Sequence, residues 1–324
     1  VVIGRLHEVD VTISLSSVSK RHAKIDFADD HLIVEDLGST NGTRVNGELI
    51  TCSAARVGDI LQFANAVYRV CRHFEPPVDG TIEEGFGLWT ENLFQVDRLL
   101  AERAVVPHFQ PIVQIADREC KGFEVLARSD VKGLATPGEM FAAAERLGQQ
   151  AALSELMRHE GLTAARCSQR HSFPIFLNTH PDELITQRLI DSLFDLRESF
   201  PSELIAIEVH ESGVTDPGSM RAFLDVLREL EMQLSYDDFG AGRGRLLELA
   251  EVPPDVLKFD MQLIRGIDSA PSSRQELLAT LVKLAKNEGT QTLAEGVETE
   301  AEHEACRQLG FDLSQGFLYG RPCR

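Results

Sequence analysis

No apolar run in this 324-residue chain approaches the ~18–20 residues that span a bilayer, so the sequence offers no membrane segment. No charged-then-apolar signal peptide opens it. It starts at Val1 rather than Met, in what reads as a strand, and the expectation is a trimmed fragment. The six cysteines, at 52, 71, 120, 167, 306 and 323, include no CxxC pair. That spacing speaks against a zinc site or a thioredoxin-like motif and for free thiols in a reducing cytoplasm. Positive charge is scarce: 32 Lys and Arg face 51 Asp and Glu, a formal charge of −19. The deficit is uneven, since residues 1–72 carry 8 basic against 9 acidic residues and residues 73–324 carry 24 against 42. An acidic chain repels phosphate backbones, so a nucleic acid polymer is not an expected partner. A phosphate-bearing small ligand would need a local remedy, either a metal ion or placed Lys and Arg.

Hydrophobic residues make up 43% of the chain, enough for buried cores. Residues 1–72 alternate short β-like runs (Val1–Ile3, Ala23–Phe27, Leu32–Val34, Thr43–Val45, Val67–Val70) with turns at Asp29-Asp30, Gly38–Gly42 and Asn46-Gly47. Asn and Gly tolerate positive φ and favour tight hairpins. The expectation is a small all-β sandwich. Glu75-Pro76-Pro77-Val78-Asp79-Gly80 reads as the centre of a linker over 73–90. From 91 to 324, helical spacing at Leu153–Ala165, Met220–Leu230 and Arg274–Lys286 alternates with strand-like runs. Those runs are Phe173–Leu177, Leu204–Val209, Leu234–Tyr236, Val256–Phe259 and Thr290–Leu293. The pattern predicts a single α/β barrel. An open doubly wound sheet is the alternative, and no GxGxxG follows the first strand to support its dinucleotide-binding form.

Polar residues recur at the ends of these apolar runs: Glu124, Asn178, Glu208, Asp237-Asp238, Lys258, Glu295 and Gln315. In a parallel barrel the strand C-termini share one face, where such residues would converge. Carboxylates sharing a dry cleft repel unless a divalent cation lies between them. Oxygen donors without His or Cys suit Mg²⁺ or Mn²⁺. Asp237 and Asp238 would hold two ions close together, a geometry suited to phosphodiester cleavage. Lys258, among acids, would align a water or steady developing charge. Taken singly, an acid at a strand end is more often a solvated loop group or a helix N-cap.

These residues fall in segments that resemble the EAL family. Phe109-Gln110-Pro111-Ile112 and Glu124-Val125-Leu126-Ala127-Arg128 are similar to its YQPI and EALLR segments. Glu208-Val209-His210-Glu211-Ser212 resembles ExTES, Tyr236–Gly242 resembles LDDFGTG, and Leu257-Lys258-Phe259-Asp260 resembles LKID. Ala294–Glu300 and Gln315–Pro322 complete the ordered set. The resemblance implies a TIM-like barrel with one antiparallel strand that hydrolyses cyclic di-GMP to linear pGpG in the bacterial cytoplasm, commonly as a homodimer. It implies a first metal on Glu124, Asn178, Glu208 and Asp237, and a second on Asp238. Lys258 would contact the attacking water, and Glu295 would lie near metal or water. Glu211 would anchor the loop after Asp238. Arg128 would hold a ligand phosphate, with Gln110, Asp260 and Gln315 lining the pocket. Four departures stand out: Val125 for Ala, Asn178-Thr179-His180-Pro181 in place of NLSP with the ligand Asn178 kept, His210 for Thr, and Gly242-Arg243-Gly244-Arg245-Leu246 in place of GYSSL. A cyclic di-GMP receptor without turnover, or a scaffold, is the alternative function.

The β region resembles a forkhead-associated (FHA) domain through Ile3-Gly4-Arg5, Ser19-Lys20-Arg21-His22-Ala23 and Asp36–Thr43, with Asn46-Gly47 following. That family implies a β-sandwich whose loops read phosphothreonine in a partner protein. Arg5 and Ser19 would bind the phosphate, with help from Lys20, and Thr40 and Asn41 would contact the peptide. His22 is expected to be a structural pin. The family's first strand precedes the Gly4-Arg5 motif. A β-domain that binds protein without phosphate is the alternative.

Overall fold

The computed structural model describes residues 1–6, 8–28, 31–70, 95–210, 217–240 and 251–324. The expected linker at 73–90, the Asp29-Asp30 turn, Glu211-Ser212 and the 242–246 loop lie outside the described residues. The chain divides into two compact units, Val1–Asn92 and Leu93–Arg324.

The first unit packs two sheets. One runs β2 (Val11–Thr12), β1 (Val2–Gly4), β3 (Ala23–Phe27), β4 (Leu32–Asp36), β7 (Cys52–Ala55); the other runs β6 (Glu48–Ile50), β5 (Thr43–Val45), β8 (Ile60–Phe63), β9 (Ala66–Arg69). Alternate residues of each sheet turn inward, as the pleat requires. Ile3, Ala23, Ile25 and Val34 thereby meet Val45, Leu61, Phe63 and Ala66 in one core. This is the sandwich the alternation predicts. The strands at β2, β6, β7 and β8 were not expected. They are short and carry little alternation, and their pairing comes from neighbours in space.

The second unit is a closed barrel of eight strands in chain order. They are β10 (Val105–Gln114), β11 (Cys120–Ser129), β12 (Ile175–Asn178), β13 (Ile205–His210), β14 (Gln233–Phe239), β15 (Val256–Phe259), β16 (Gln291–Ala294) and β17 (Leu313–Gln315). β10 runs antiparallel to both its neighbours, and all other pairs are parallel. Helices α1 (Pro137–Glu145), α2 (Gln150–Cys167), α3 (Gln187–Ser199), α4 (Pro217–Glu229), α5 (Met261–Ile264), α6 (Ser272–Asn287) and α7 (Glu300–Leu309) follow in sequence. Among the described residues no helix is long and apolar enough to cross a membrane.

Inside the barrel, Ile112, Phe176, Ala206, Val256, Leu293 and Leu313 form an apolar plug drawn from six strands. Strand side chains alternate, so the residue two positions on also faces inward. On the parallel strands that step leads to Asn178, Glu208, Lys258, Glu295 and Gln315. In the reversed β10 it leads backwards, from Ile112 to Gln110. One layer of apolar side chains thus supports one layer of polar ones. Between α2 and α3 a buried ion pair joins Arg158 Nη1 to Glu183 Oε1 at 2.5 Å, with Ser154 and Ser192 bonded to the same guanidinium.

Candidate active site

Lys258 is fully buried, and its ammonium is the centre of the polar layer. Its Nζ lies 2.7 Å from Glu208 Oε1, 2.8 Å from Asp237 Oδ1, 2.9 Å from Glu295 Oε1 and 3.5 Å from Glu124 Oε2. Burial opposes charge on Lys258, but Asp237, Glu124, Glu208 and Glu295 together raise its pKa well above the ordinary lysine value. Burial likewise pushes the Glu208 and Glu295 carboxyls well up, with Lys258 pulling the other way. A buried ammonium is tolerable only with such partners.

Glu124 is tied in from two sides. Gln315 Nε2 donates to its Oε2 at 2.6 Å and to Gln110 Oε1 at 3.1 Å, and Asn178 Nδ2 donates to its Oε1 at 3.3 Å. Glu124 does not close its strand as the sequence suggests. It sits midway along the ten-residue β11, because the hairpin with β10 extends beyond the barrel layer to Ser129. Arg128 lies two alternations further on, half-buried, and donates to the Ala127 carbonyl at 2.8 Å. Asp260 caps α5 by accepting from Gln262 N at 2.8 Å, the local role that strand-end acids commonly take. Its charge still reaches the site, since it adds to the upward shift of Asp238.

Neighbouring residues in a strand face opposite ways, so Asp237 and Asp238 would not share a site on regular geometry. The structure resolves this with a bulge. β14 pairs with β15 at Ser235–Val256 and Tyr236–Leu257, then shifts register before Phe239–Phe259, so two residues of β14 stand against one of β15. Asp238 takes φ +58°, a left-handed backbone that costs a non-glycine residue roughly 1–3 kcal/mol. One oxygen each from Asp237, Asp238 and Glu295 then lies within 4.8 Å of the others. Burial first, and the Asp237 charge second, push the Asp238 carboxyl up to about 6, and His210 opposes them. His210 Nε2 stands 3.1 Å from Asp238 Oδ2. The motif comparison marks His210 only as a departure; the one sequence signal for this contact is its place two residues after Glu208, on the same face.

Five carboxylates against one ammonium leave a formal surplus of four negative charges, the charge of two divalent cations. Glu208 Oε2 is buried and has no hydrogen-bond partner among the described residues. The donors are carboxylate and amide oxygens, the set that hard cations prefer. The residues present therefore fit a divalent-metal site.

In the first unit, Ser19 Oγ accepts from Thr40 N at 3.0 Å and lies 3.4 Å from Thr40 Oγ1. Arg5 N donates to Ser19 O at 3.0 Å, its Nε donates to Val18 O at 3.2 Å, and Asn41 Nδ2 donates to Ser17 O at 2.7 Å. Arg5, Lys20, Thr40 and Asn41 are exposed and Ser19 half-buried, all on adjoining loops. Two devices hold the loops. Buried His22 accepts from Ser19 N at 3.1 Å and reaches Gly42 O at 3.1 Å. Asp36 accepts from Gly38 N, Ser39 N, Ser39 Oγ and Thr43 Oγ1; partial burial works against its charge, but these bonds hold its pKa below the ordinary value. Gly4 permits the close approach, since a Cβ there would fall 2.2 Å from Lys20 O.

A closed barrel with one reversed strand and a buried acid–lysine cluster in its polar layer defines a class of α/β-barrel proteins. An EAL domain model matches residues 95–322, and the chain belongs to the EAL family. An FHA domain model matches residues 1–64. The chain is 30% identical over 257 residues to the bifunctional diguanylate cyclase/cyclic di-GMP phosphodiesterase MucR of Pseudomonas aeruginosa, covering 77% of this chain and 37% of that one. It is 29% identical over 222 residues to the cyclic di-GMP phosphodiesterase RocR of the same organism, covering 66% and 56%. The chain thus spans about a third to a half of these relatives. A structure of the MucR phosphodiesterase with cyclic di-GMP matches with TM-score 0.61 and 29% identity, over 72% of this chain and 97% of that one. Klebsiella pneumoniae BlrP1, in a manganese and cyclic di-GMP complex, matches with TM-score 0.60 and 31% identity, over 68% and 56%.

Proposed function

We propose that the barrel hydrolyses cyclic di-GMP to linear pGpG with Mg²⁺ or Mn²⁺. The observation that carries this reading is the ring of four carboxylates around Lys258, open to ligand through half-buried Asp237, Asp238 and Glu295. Glu124, Asn178, Glu208 and Asp237 would hold one ion and Asp238 a second. Divalent ions, when bound, supply charge stabilisation at the phosphate and an acidified water. Lys258 would orient the attacking water and steady charge on the phosphate as the water oxygen bonds to phosphorus and the P–O3′ bond breaks. Glu295 keeps Lys258 in place at 2.9 Å and would lie near the attacking water, to take its proton. Arg128 takes the second phosphate. Gln315 holds Glu124 and is itself bonded to Gln110, both beside the ligand, and Asp260 fixes the start of α5. Glu211 would anchor the loop that follows Asp238.

The FHA unit would read phosphothreonine in a partner protein, with Arg5, Ser19 and Lys20 on the phosphate and Thr40 and Asn41 on the peptide. It would thereby localise or regulate the barrel. The domain limits suggested are 1–72, a linker at 73–90 and 91–324, in a cytoplasmic bacterial protein that pairs through its barrels. Incubation with cyclic di-GMP and Mg²⁺ tests the reading by the appearance of pGpG. Binding without product would make the barrel a receptor; neither binding nor product would leave a scaffold.

A further inference from the structure

β13 ends in His210, where the EAL motif carries threonine. The side chain shares a strand face with Glu208 and is registered opposite Asp237 of β14. Its Nε2 stands 3.1 Å from Asp238 Oδ2, within hydrogen-bond range. A threonine hydroxyl, one bond from Cβ, is two bonds shorter than Nε2. Asp238 needs such support because the bulge and its left-handed φ of +58° put it outside the strand's regular ladder. Asp238 also offers an oxygen close to those of Asp237 and Glu295, whereas the metal-competent group formed by those three acids does not include His210. The imidazole therefore braces the carboxylate from outside the cluster, the arrangement that orients metal-binding carboxylates elsewhere.

We propose that His210 is a positioning residue: through Nε2–H···Oδ2 it holds the bulged Asp238 carboxylate in the orientation that completes the second divalent-cation site. This rests on the metal-dependent reading above. The test is Mn²⁺ titration of the full chain, followed by electron paramagnetic resonance, in the parent protein and in His210→Ala, His210→Gln and Asp238→Asn. His210→Ala should weaken the weaker Mn²⁺ site about 10–100-fold, the usual effect of losing an outer hydrogen-bond partner. His210→Gln, whose amide still donates, should restore most of that affinity. Bound Mn²⁺ should show no imidazole nitrogen coupling, and the metal-free melting temperature of His210→Ala should match the parent. Unchanged Mn²⁺ affinity in His210→Ala, while Asp238→Asn loses a site, would overturn the proposal alone. Nitrogen coupling that His210→Ala removes would also overturn it, by making the imidazole a ligand. Equal weakening in both His210 variants with a lowered metal-free melting temperature would reduce the residue to a structural one. Unaltered binding in Asp238→Asn would instead overturn the metal reading on which the proposal stands.

Discussion

In the FHA unit the candidate residues Arg5, Lys20, Thr40 and Asn41 stand exposed on loops, whereas in the barrel Glu124, Glu208, Lys258 and Gln315 are buried on strands. The loops are held by hydrogen bonds to Ser19, His22 and the partly exposed Asp36 carboxylate. The strands hold like charges together against their repulsion, with Lys258 as the internal counter-ion. On the proposed reading, a ligand-reading surface and a reacting cleft therefore fail differently when a residue is removed. Loss of a loop residue would remove one contact to the ligand. Loss of Lys258 leaves its carboxylate partners as uncompensated charge in a dry site.

The largest expected effect is on chemistry. Glu124→Ala removes a proposed metal donor and frees Gln315 and Asn178, and pGpG production should fall about 10³-fold or more with the fold retained. Chromatographic product assay and circular dichroism check the two halves; surviving activity would remove Glu124 from the metal site. Next comes stability. Lys258→Met leaves its carboxylate partners without their shared cation and should cost about 3–5 kcal/mol in urea unfolding without metal. Saturating Mn²⁺ should recover part of the loss, because it binds only the folded site. An unchanged urea midpoint would contradict the counter-ion role. In the FHA unit, Arg5→Ala should weaken a phosphothreonine peptide by roughly 10–100-fold in fluorescence anisotropy, the value of a hydrogen bond to a charged group. Equal affinity for the unphosphorylated peptide would show that phosphate is not what the loops read.

The smallest effect is a pH dependence. The pKa of Asp36 is lower folded than the ordinary 3.8, so its contribution is present above that value and is lost as pH falls through the folded one. Acid titration of the sandwich signals should steepen below about pH 4, and Asp36→Asn should flatten that limb. No flattening would mean that other groups set the acid limit.

Much of the barrel was legible because its polar residues lie two positions beyond apolar ones, a period-two signal that survives in single strands such as Val256–Phe259. The observed Ile205–His210 and Gln291–Ala294 differ from the expected runs by a residue at each end, where pairing rather than hydropathy sets the limit. That one strand is reversed came from family resemblance, but not that it is β10, since direction leaves no mark on a strand's own pattern. The bulge at Asp237-Asp238 was hidden for a related reason: it is a property of the pairing between β14 and β15. Arg158 and Glu183 were hidden as well, because a charged residue on a helix reads as solvent-facing until its partner is placed beside it.

The most direct measurement is oxygen-isotope incorporation. The full chain is incubated with cyclic di-GMP and Mg²⁺ in ¹⁸O-water, and the nucleotide is weighed by mass spectrometry. The expected product is pGpG carrying a single ¹⁸O on its 5′-phosphate, dependent on the divalent ion and absent with Glu124→Ala. Cyclic di-GMP recovered intact and unlabelled after binding would contradict it.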